Sequence, residues 1–252
     1  MTPSLWSSAV RSRCLVPFAA AALAAALSGC NPQIADDKSA DAAPRSAASA
    51  ASPAAGGPAP GAGALTLSNA IATIPDGVER REGYERDSFR HWIDEDGDGC
   101  QTRAEVLIDE ATAQPDQGDR CTLSGGSWNS YYDEVEVTDP KKLDIDHVVP
   151  LAEAWDSGAY DWSAARRQAY ANDLGSDRSL VAVTAKTNRS KGDKDPAQWL
   201  PPAEGAHCTY AADWTATKLR WKLSADEAEK AALLDLAKAC SDTMVEYEEA
   251  DA

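Results

Sequence analysis

Residues 31–64 consist mainly of Ala, Ser, Pro, Gly and Asp and contain no aromatic side chain. Such a stretch cannot bury enough apolar surface to offset the entropy that ordering it would cost. It reads as a disordered tether and confines whatever folds to residues 65–252. That segment carries seven of the chain's eight tryptophans and is long enough for one domain with a proper core.

The residues before the tether have a different character. Arg11 and Arg13 precede an apolar, alanine-rich run from Leu15 to Leu27. The run suits the core of a signal peptide and is too short to span a bilayer comfortably. It stops at Leu27-Ser28-Gly29-Cys30, a tetrapeptide similar to a lipobox, where a cysteine is lipidated and the chain is cut before it. Residues 1–29 are therefore expected to be a lipoprotein signal peptide. Cys30 would be the lipidated first residue, and 30–64 the link between membrane and domain. Each buried methylene of an acyl chain contributes roughly 0.8 kcal/mol to anchoring. The expected location is a bacterial envelope, with the domain in the periplasm or at the cell surface.

Export changes what the cysteines mean. Of six, Cys14 leaves with the signal and Cys30 takes lipid, so Cys100, Cys121, Cys208 and Cys240 remain. An even number in an oxidising compartment points to two disulfides, each closing a loop worth about 3 kcal/mol. Nearness in sequence favours Cys100–Cys121 and Cys208–Cys240, while all three pairings stay open. The absence of CxxC spacing disfavours zinc.

Local patterns give an α+β domain. Helical patterns cover Glu79–Trp92, where Gly83 interrupts, then Thr102–Ala111 and Asp161–Asn172. Leu143–Val149 and Leu180–Ala185 are rich in Ile and Val and read as strands. A short helix starts near Thr187. The last helix has Ser224 with Glu227 three residues later, a capping box, and an apolar face of Leu233, Leu234, Ala237 and Cys240.

The chemistry centres on Asp146-His147, just before Val148-Val149-Pro150. Adjacent strand residues point to opposite faces, so both can serve one site only if the strand bends or ends there. Pro150 supplies an end. The second strand runs into Asn188-Arg189-Ser190-Lys191-Gly192. Together with Asn172-Asp173, these segments resemble the HNH family of ββα-metal nucleases. The resemblance is closest to secreted bacterial HNH proteins related to the C-terminal domain of GmrSD-type restriction enzymes. It extends from about Tyr84 to Cys240, with supporting stretches at Asp98–Arg103, His147–Trp155 and Lys194–Pro202.

The resemblance implies a ββα-metal core inside a mainly helical, disulfide-bonded domain. It makes His147 the general base and Asp146 and Asn188 the ligands of one divalent cation. Imidazole titrates near working pH and suits proton removal from water. A carboxylate and an amide oxygen suit Mg²⁺ or Mn²⁺. Arg103, Arg189 and Lys191 would bind phosphate, and Arg166, Arg167, Lys186 and Lys194 could extend a basic rim. One departure concerns the family's middle Asn, which orients the loop carrying the His. Ser179 stands near its place and Asn172 lies earlier, so either could take the role, or neither. Glu153 is expected at the surface, and His91 and His207 match no motif.

A second metal site is suggested by Asp94, Asp96, Asp98, Gly99, Cys100 and Glu105, which fit the calcium-loop pattern D-x-D-x-D-G-x5-E. Gln101 replaces the usual apolar residue, and no second hand is visible. The competing reading is an acidic turn pinned by a disulfide at Cys100.

The formal net charge is −17, which argues against broad electrostatic binding to nucleic acid. A nuclease of this composition must rely on local cations and a metal ion. The favoured function is a metal-dependent endonuclease acting on DNA, or RNA, tethered to the envelope. The alternative is a calcium-binding envelope lipoprotein on a non-catalytic HNH scaffold. A peptidoglycan or protein hydrolase is disfavoured, because no Ser or Cys nucleophile motif and no HExxH occur.

Overall fold

The computed structural model describes residues 63–251; the signal segment, Cys30 and the tether up to residue 62 lie outside them. β1 (Leu65–Thr66) leads into α1 (Leu67–Thr73) and pairs antiparallel with β8 (Met244–Val245), which joins the two ends of the domain. After a long connection comes α2 (Thr102–Asp109). Two hairpins follow, β2 (Asp116–Gln117) with β3 (Leu123–Ser124), and β4 (Trp128–Ser130) with β5 (Val135–Val137). Next are β6 (Leu143–His147), α3 (Leu151–Asp156), α4 (Ala164–Ala171), β7 (Leu180–Thr184), α5 (Ala185–Lys191), α6 (His207–Trp221) and α7 (Glu227–Ala239). β6 and β7 are antiparallel, with Leu143 opposite Thr184 and His147 opposite Leu180. α5 continues from β7 without a break, so the expected ββα unit sits in a mainly helical α+β body.

The pleat of β6–β7 separates two cores. Leu143, Ile145, Leu180 and Ala182 pack with Val106, Leu107, Trp128 and Val137, under α2 and the β4–β5 hairpin. Val181 and Val183 turn the other way, into the larger core with Tyr132, Tyr210 and Trp214. By the same period, Asp144 and Asp146, opposite Val183 and Val181, share that second face. Full burial of such apolar side chains contributes roughly 1.5–3 kcal/mol each.

Two covalent links and one buried ion cluster hold the helices. Cys100–Cys121 and Cys208–Cys240 are bonded, the second joining the start of α6 to the residue after α7. Lys218 on α6 has no exposed side-chain surface; its Nζ donates to Glu153 (2.8 Å), Ser157 Oγ (2.6 Å), the Ser224 carbonyl (2.8 Å) and Glu229 (2.9 Å). Burial alone would lower the Lys218 pKa, but Glu229 and Glu153 raise it above its ordinary value. Glu153, expected at the surface, is thus an interior residue, 2% exposed.

Other expectations are corrected. Glu79–Trp92 is no α-helix; only a 3₁₀ turn at Arg86–Ser88 forms. Gly83 and Trp92 take positive φ (80° and 59°), and Arg81 is drawn out to Asp156 at 2.6 Å. The third patterned helix begins later, capped by Ser163 rather than starting at Asp161. The last helix is capped not by Ser224 but by Asp226, whose carboxylate accepts from the Glu229 N–H at 2.7 Å, while Ser224 Oγ donates to the Ser157 carbonyl. Leu233, Ala237 and Cys240 are buried, but Leu234 is exposed. Sequence patterns mark neither α6, the longest helix among the described residues, nor the β4–β5 hairpin.

β7 has a titratable brace. Glu110 Oε2 accepts the Ala182 N–H at 2.9 Å, and burial raises its pKa from 4.5 to about 7. A carboxyl whose folded pKa lies above its unfolded value stabilises fully below the unfolded pKa and loses that contribution as pH rises through the folded one. Glu110→Gln keeps an acceptor without the charge. Its melting temperature is expected to match wild type near pH 4.5 and to exceed it increasingly towards pH 8; a pH-independent difference would refute the assignment.

Candidate active site

β6 ends at His147 and the chain turns away through Val148, whose N–H donates to the Ser179 carbonyl at 3.1 Å. The imidazole is buried, 6% exposed. It lies near-parallel to Trp92 (centroids 5.7 Å, 26°) and Tyr170 (6.2 Å, 19°). Nε2 is 3.0 Å from the Ala171 carbonyl oxygen. A carbonyl only accepts, so Nε2 carries the proton and the neutral ring has its lone pair on Nδ1. No partner for Nδ1 is found among the described residues, and it is not one of the buried atoms sealed without a partner. Burial lowers the pKa of His147 to about 3, against the opposing Ala171 bond and with help from Arg86, His91 and Lys191. The ring is therefore neutral, with its lone pair available, throughout the physiological range.

Asp146 turns to different partners, as the pleat requires. Its Oδ2 accepts from Tyr132 Oη at 2.6 Å and from Lys191 Nζ at 2.5 Å. Lys191 Nζ also donates to the His147 carbonyl at 2.9 Å, and its side chain is completely buried. Burial raises the Asp146 carboxyl and lowers the Lys191 ammonium from their ordinary values, while each charge pulls the other back. Oδ1 of Asp146 has no partner among the described residues and is not one of the sealed atoms. One turn back on α5, Asn188 Nδ2 lies 3.3 Å from Asp144 Oδ2. Asp144, Asp146, Asn188 and Lys191 thus form one polar face between β6 and α5, with His147 at the strand's end. The oxygen donors on that face fit a hard divalent cation.

α5 is itself held from the β4–β5 turn. Asp133 Oδ2 accepts from the hydroxyls of Thr184 and Thr187, and Ser130 Oγ accepts the Thr184 N–H at 3.0 Å. Tyr132, in the same turn, reaches Asp146. These residues escaped the sequence reading because no motif marks them; the alternation of Trp128, Asn129 and Ser130 before a turn was the available signal.

Lys191 is a corrected phosphate contact, and several of the other expected cations are engaged within the domain. Lys191 is enclosed and serves Asp146. Arg103 is half-buried and its Nη2 donates to the carbonyls of Pro140 (2.9 Å) and Leu143 (3.0 Å), bracing the start of β6. Arg167 is spent on the carbonyls of Ser88, Ala159 and Trp162, and Arg166 lies over the rings of Trp162 and Trp221. Lys194 donates to the Ser190 carbonyl. Arg189 remains exposed, 76% of its side chain open, with Nε 3.6 Å from Asp144.

The two candidates for orienting the His loop make separate contacts. Asn172 Oδ1 accepts from the Ile93 N–H (3.1 Å) and Thr102 Oγ1 (2.8 Å), and its Nδ2 donates to the carbonyls of Arg90 and Gln168 (both 2.8 Å). This holds the backbone on both sides of Trp92, whose left-handed conformation is sustained only by such surroundings. Ser179 Oγ donates to Asp173 at 2.6 Å, and its carbonyl takes the Val148 N–H.

In the acidic loop, Gly97 and Gly99 N–H groups donate to Asp94, Asp98 N–H to Asp96, and Cys100 N–H to Asp98. Ligand oxygens of Asp94, Asp96 and Asp98 lie within 4.8 Å of one another, as do those of Asp98 and Glu105. The Cys100 sulfur is committed to the disulfide, so only its carbonyl could join them.

A β-strand ending in Asp-His, its antiparallel partner, and a helix bearing Asn define an HNH-type ββα-metal domain. The chain belongs to the family described as GmrSD restriction endonucleases, C-terminal domain, whose model matches residues 102–236, from the start of α2 into α7. A protein of Arthroderma benhamiae described as an uncharacterized secreted protein is 42% identical over 177 residues, covering 70% of this chain and 84% of the relative. No solved structure matches. Family membership places the chain among nuclease-like proteins. No helix among the described residues is long and apolar enough to cross a membrane.

Asn172→Ala would leave the Ile93 N–H without its acceptor and the Arg90 and Gln168 carbonyls without the Nδ2 donor, while the Thr102 hydroxyl keeps the Ile93 carbonyl at 3.1 Å. At about 1–3 kcal/mol for each buried unsatisfied group, unfolding in urea is expected to show a loss of about 3 kcal/mol, with altered tryptophan emission as Trp92 leaves His147. Unchanged stability and emission would exclude the latch role.

Proposed function

We propose that the domain is a metal-dependent HNH endonuclease that hydrolyses phosphodiester bonds of DNA, with RNA a second candidate substrate, and that lipid on Cys30 holds it at a bacterial envelope. The observation carrying the reading is the His147 arrangement: Nε2–H fixed on the Ala171 carbonyl, Nδ1 without a partner among the described residues at the end of β6, and the preceding Asp146 on the strand face where Asn188 meets Asp144. Fixing one ring nitrogen on a carbonyl sets the tautomer and aims the other as a base.

In this reading Nδ1 of His147 accepts a proton from water, and the resulting hydroxide attacks phosphorus. Asp146 Oδ1 and the Asn188 amide oxygen would hold one Mg²⁺ or Mn²⁺, which supplies charge stabilisation to the phosphoryl oxygens and leaving group. Tyr132 and Lys191 fix the Asp146 carboxylate. Arg189, open to solvent, is the cation best placed to meet a substrate phosphate.

The purified protein is expected to cleave plasmid DNA with Mg²⁺ or Mn²⁺ and not with EDTA. His147→Ala should lower turnover by roughly 10²–10⁴-fold while remaining folded. A well-folded wild type that leaves duplex DNA, single strands and RNA intact with both metals would refute the enzyme and favour a calcium-binding role for the Asp94–Glu105 loop. For the anchor, wild type expressed in bacteria should sediment with membranes and Cys30→Ala should not; equal distribution of the two would exclude lipid anchoring.

A further inference from the structure

We infer that Asp144 is a third protein ligand of the metal site, binding the cation beside Asn188. The inference rests on the metal-dependent reading above. Asp144 and Asp146 are two residues apart on β6 and present to the same face, where α5 lies across them. Two rungs connect strand and helix, Asp146 to Lys191 and Asp144 to Asn188.

The rungs differ in kind. Asp146 is enclosed, with Oδ2 taken by a phenol and an ammonium. Its side chain keeps only 8% of its surface exposed, against 31% for Asp144. Asp144 has two loose contacts, the Asn188 amide at 3.3 Å and Arg189 Nε at 3.6 Å. Which end of an Asn amide points at a neighbour is an assignment from hydrogen bonding. Rotating the Asn188 amide about its last torsion would put Oδ1 where Nδ2 stands, 3.3 Å from the Asp144 carboxylate oxygen. Two oxygens at adjacent corners of an octahedral Mg²⁺ site, with bonds of 2.0–2.1 Å, are about 3 Å apart. The pair is thus already near the spacing that one cation bridges.

The cations nearby act as placeholders. Arg103, bonded to the Leu143 carbonyl, and Arg189 compensate the Asp144 charge. Arg103 is tied to the Pro140 and Leu143 carbonyls, whereas 76% of the Arg189 side chain is exposed. A metal ion on Asp144 would free Arg189 for a substrate phosphate, so that loading the site and binding the substrate become linked.

The test is Mn²⁺ binding to the full chain, followed by electron paramagnetic resonance, for wild type, Asp144→Asn, Asp144→Ser and Asn188→Ala. Both Asp144 variants are expected to weaken Mn²⁺ binding at least tenfold and to keep the metal-free melting temperature of wild type. Cleavage by them should then need correspondingly more Mn²⁺ and recover as the metal saturates. Wild-type Mn²⁺ affinity in both Asp144 variants, with loss only in Asn188→Ala, would overturn the role of Asp144 and leave the nuclease reading standing. No Mn²⁺ binding by wild type would overturn both.

Discussion

Much of the domain converges on three consecutive residues at the end of α4. The Ala171 carbonyl fixes the tautomer of His147. The Asn172 amide holds the connection that carries Trp92 over the imidazole. The buried Asp173 carboxylate accepts from Ser179, from Arg220 through two nitrogens and from Trp221, joining the start of β7 to the end of α6. Each group could be satisfied by water in an unfolded chain, and inside the domain the protein must supply the partners, the Gly175 N–H for Asp173 and the Thr102 hydroxyl and Gln168 carbonyl for Asn172 among them. Losing one partner would leave the other buried and unpaired, which is the costly outcome. A single corner therefore couples the geometry of the His147 imidazole to the integrity of the core.

What the sequence disclosed follows from which interactions are local. β6, β7 and α5 show in the sequence because alternation and β-branching are local, and because the Asp-His and Asn-Arg-Ser-Lys segments stand at their ends. The disulfide pairing by nearness also agrees with the structure. The stretch from Glu79 to Trp92 misled because charged residues at helical spacing give the same signal whether or not their side chains leave for distant partners. Arg81 reaches Asp156, and Trp92 is pinned by a residue 80 positions away. α6 was illegible for the opposite reason. Its Ala, Thr, Lys and Asp residues look like a solvated surface, but Lys218 and Asp213 are buried because partners come from α3, α7 and Arg178. The same blindness hid the role of Lys191: a lysine beside a phosphate-binding motif reads as a phosphate ligand until the carboxylate it neutralises is visible.

The two enclosed lysines show how this acidic chain uses its cations. Lys191 and Lys218 each sit over a tryptophan ring and donate to carboxylates. Arg103, Arg166, Arg167 and Arg220 are likewise tied inward to carbonyls or carboxylates. Part of the positive charge that composition would assign to a substrate surface is thus consumed in holding the fold. With a net charge of −17, long-range attraction of a polyanion is unavailable.

That constraint bears on the chemistry the site can perform. An imidazole whose pKa is lowered to about 3 by burial is free to accept a proton but would have little intrinsic drive to keep it. A phosphate arriving beside His147 would favour the imidazolium and raise that pKa. A divalent ion on the Asp146–Asn188 face would acidify bound water and reduce the basicity demanded of the ring. Under the proposed mechanism the oxygen donors between β6 and α5 would be the part of the site on which both substrate capture and proton transfer depend. With Lys191 sealed beneath them, they would supply a seat for transferable positive charge beside the exposed Arg189.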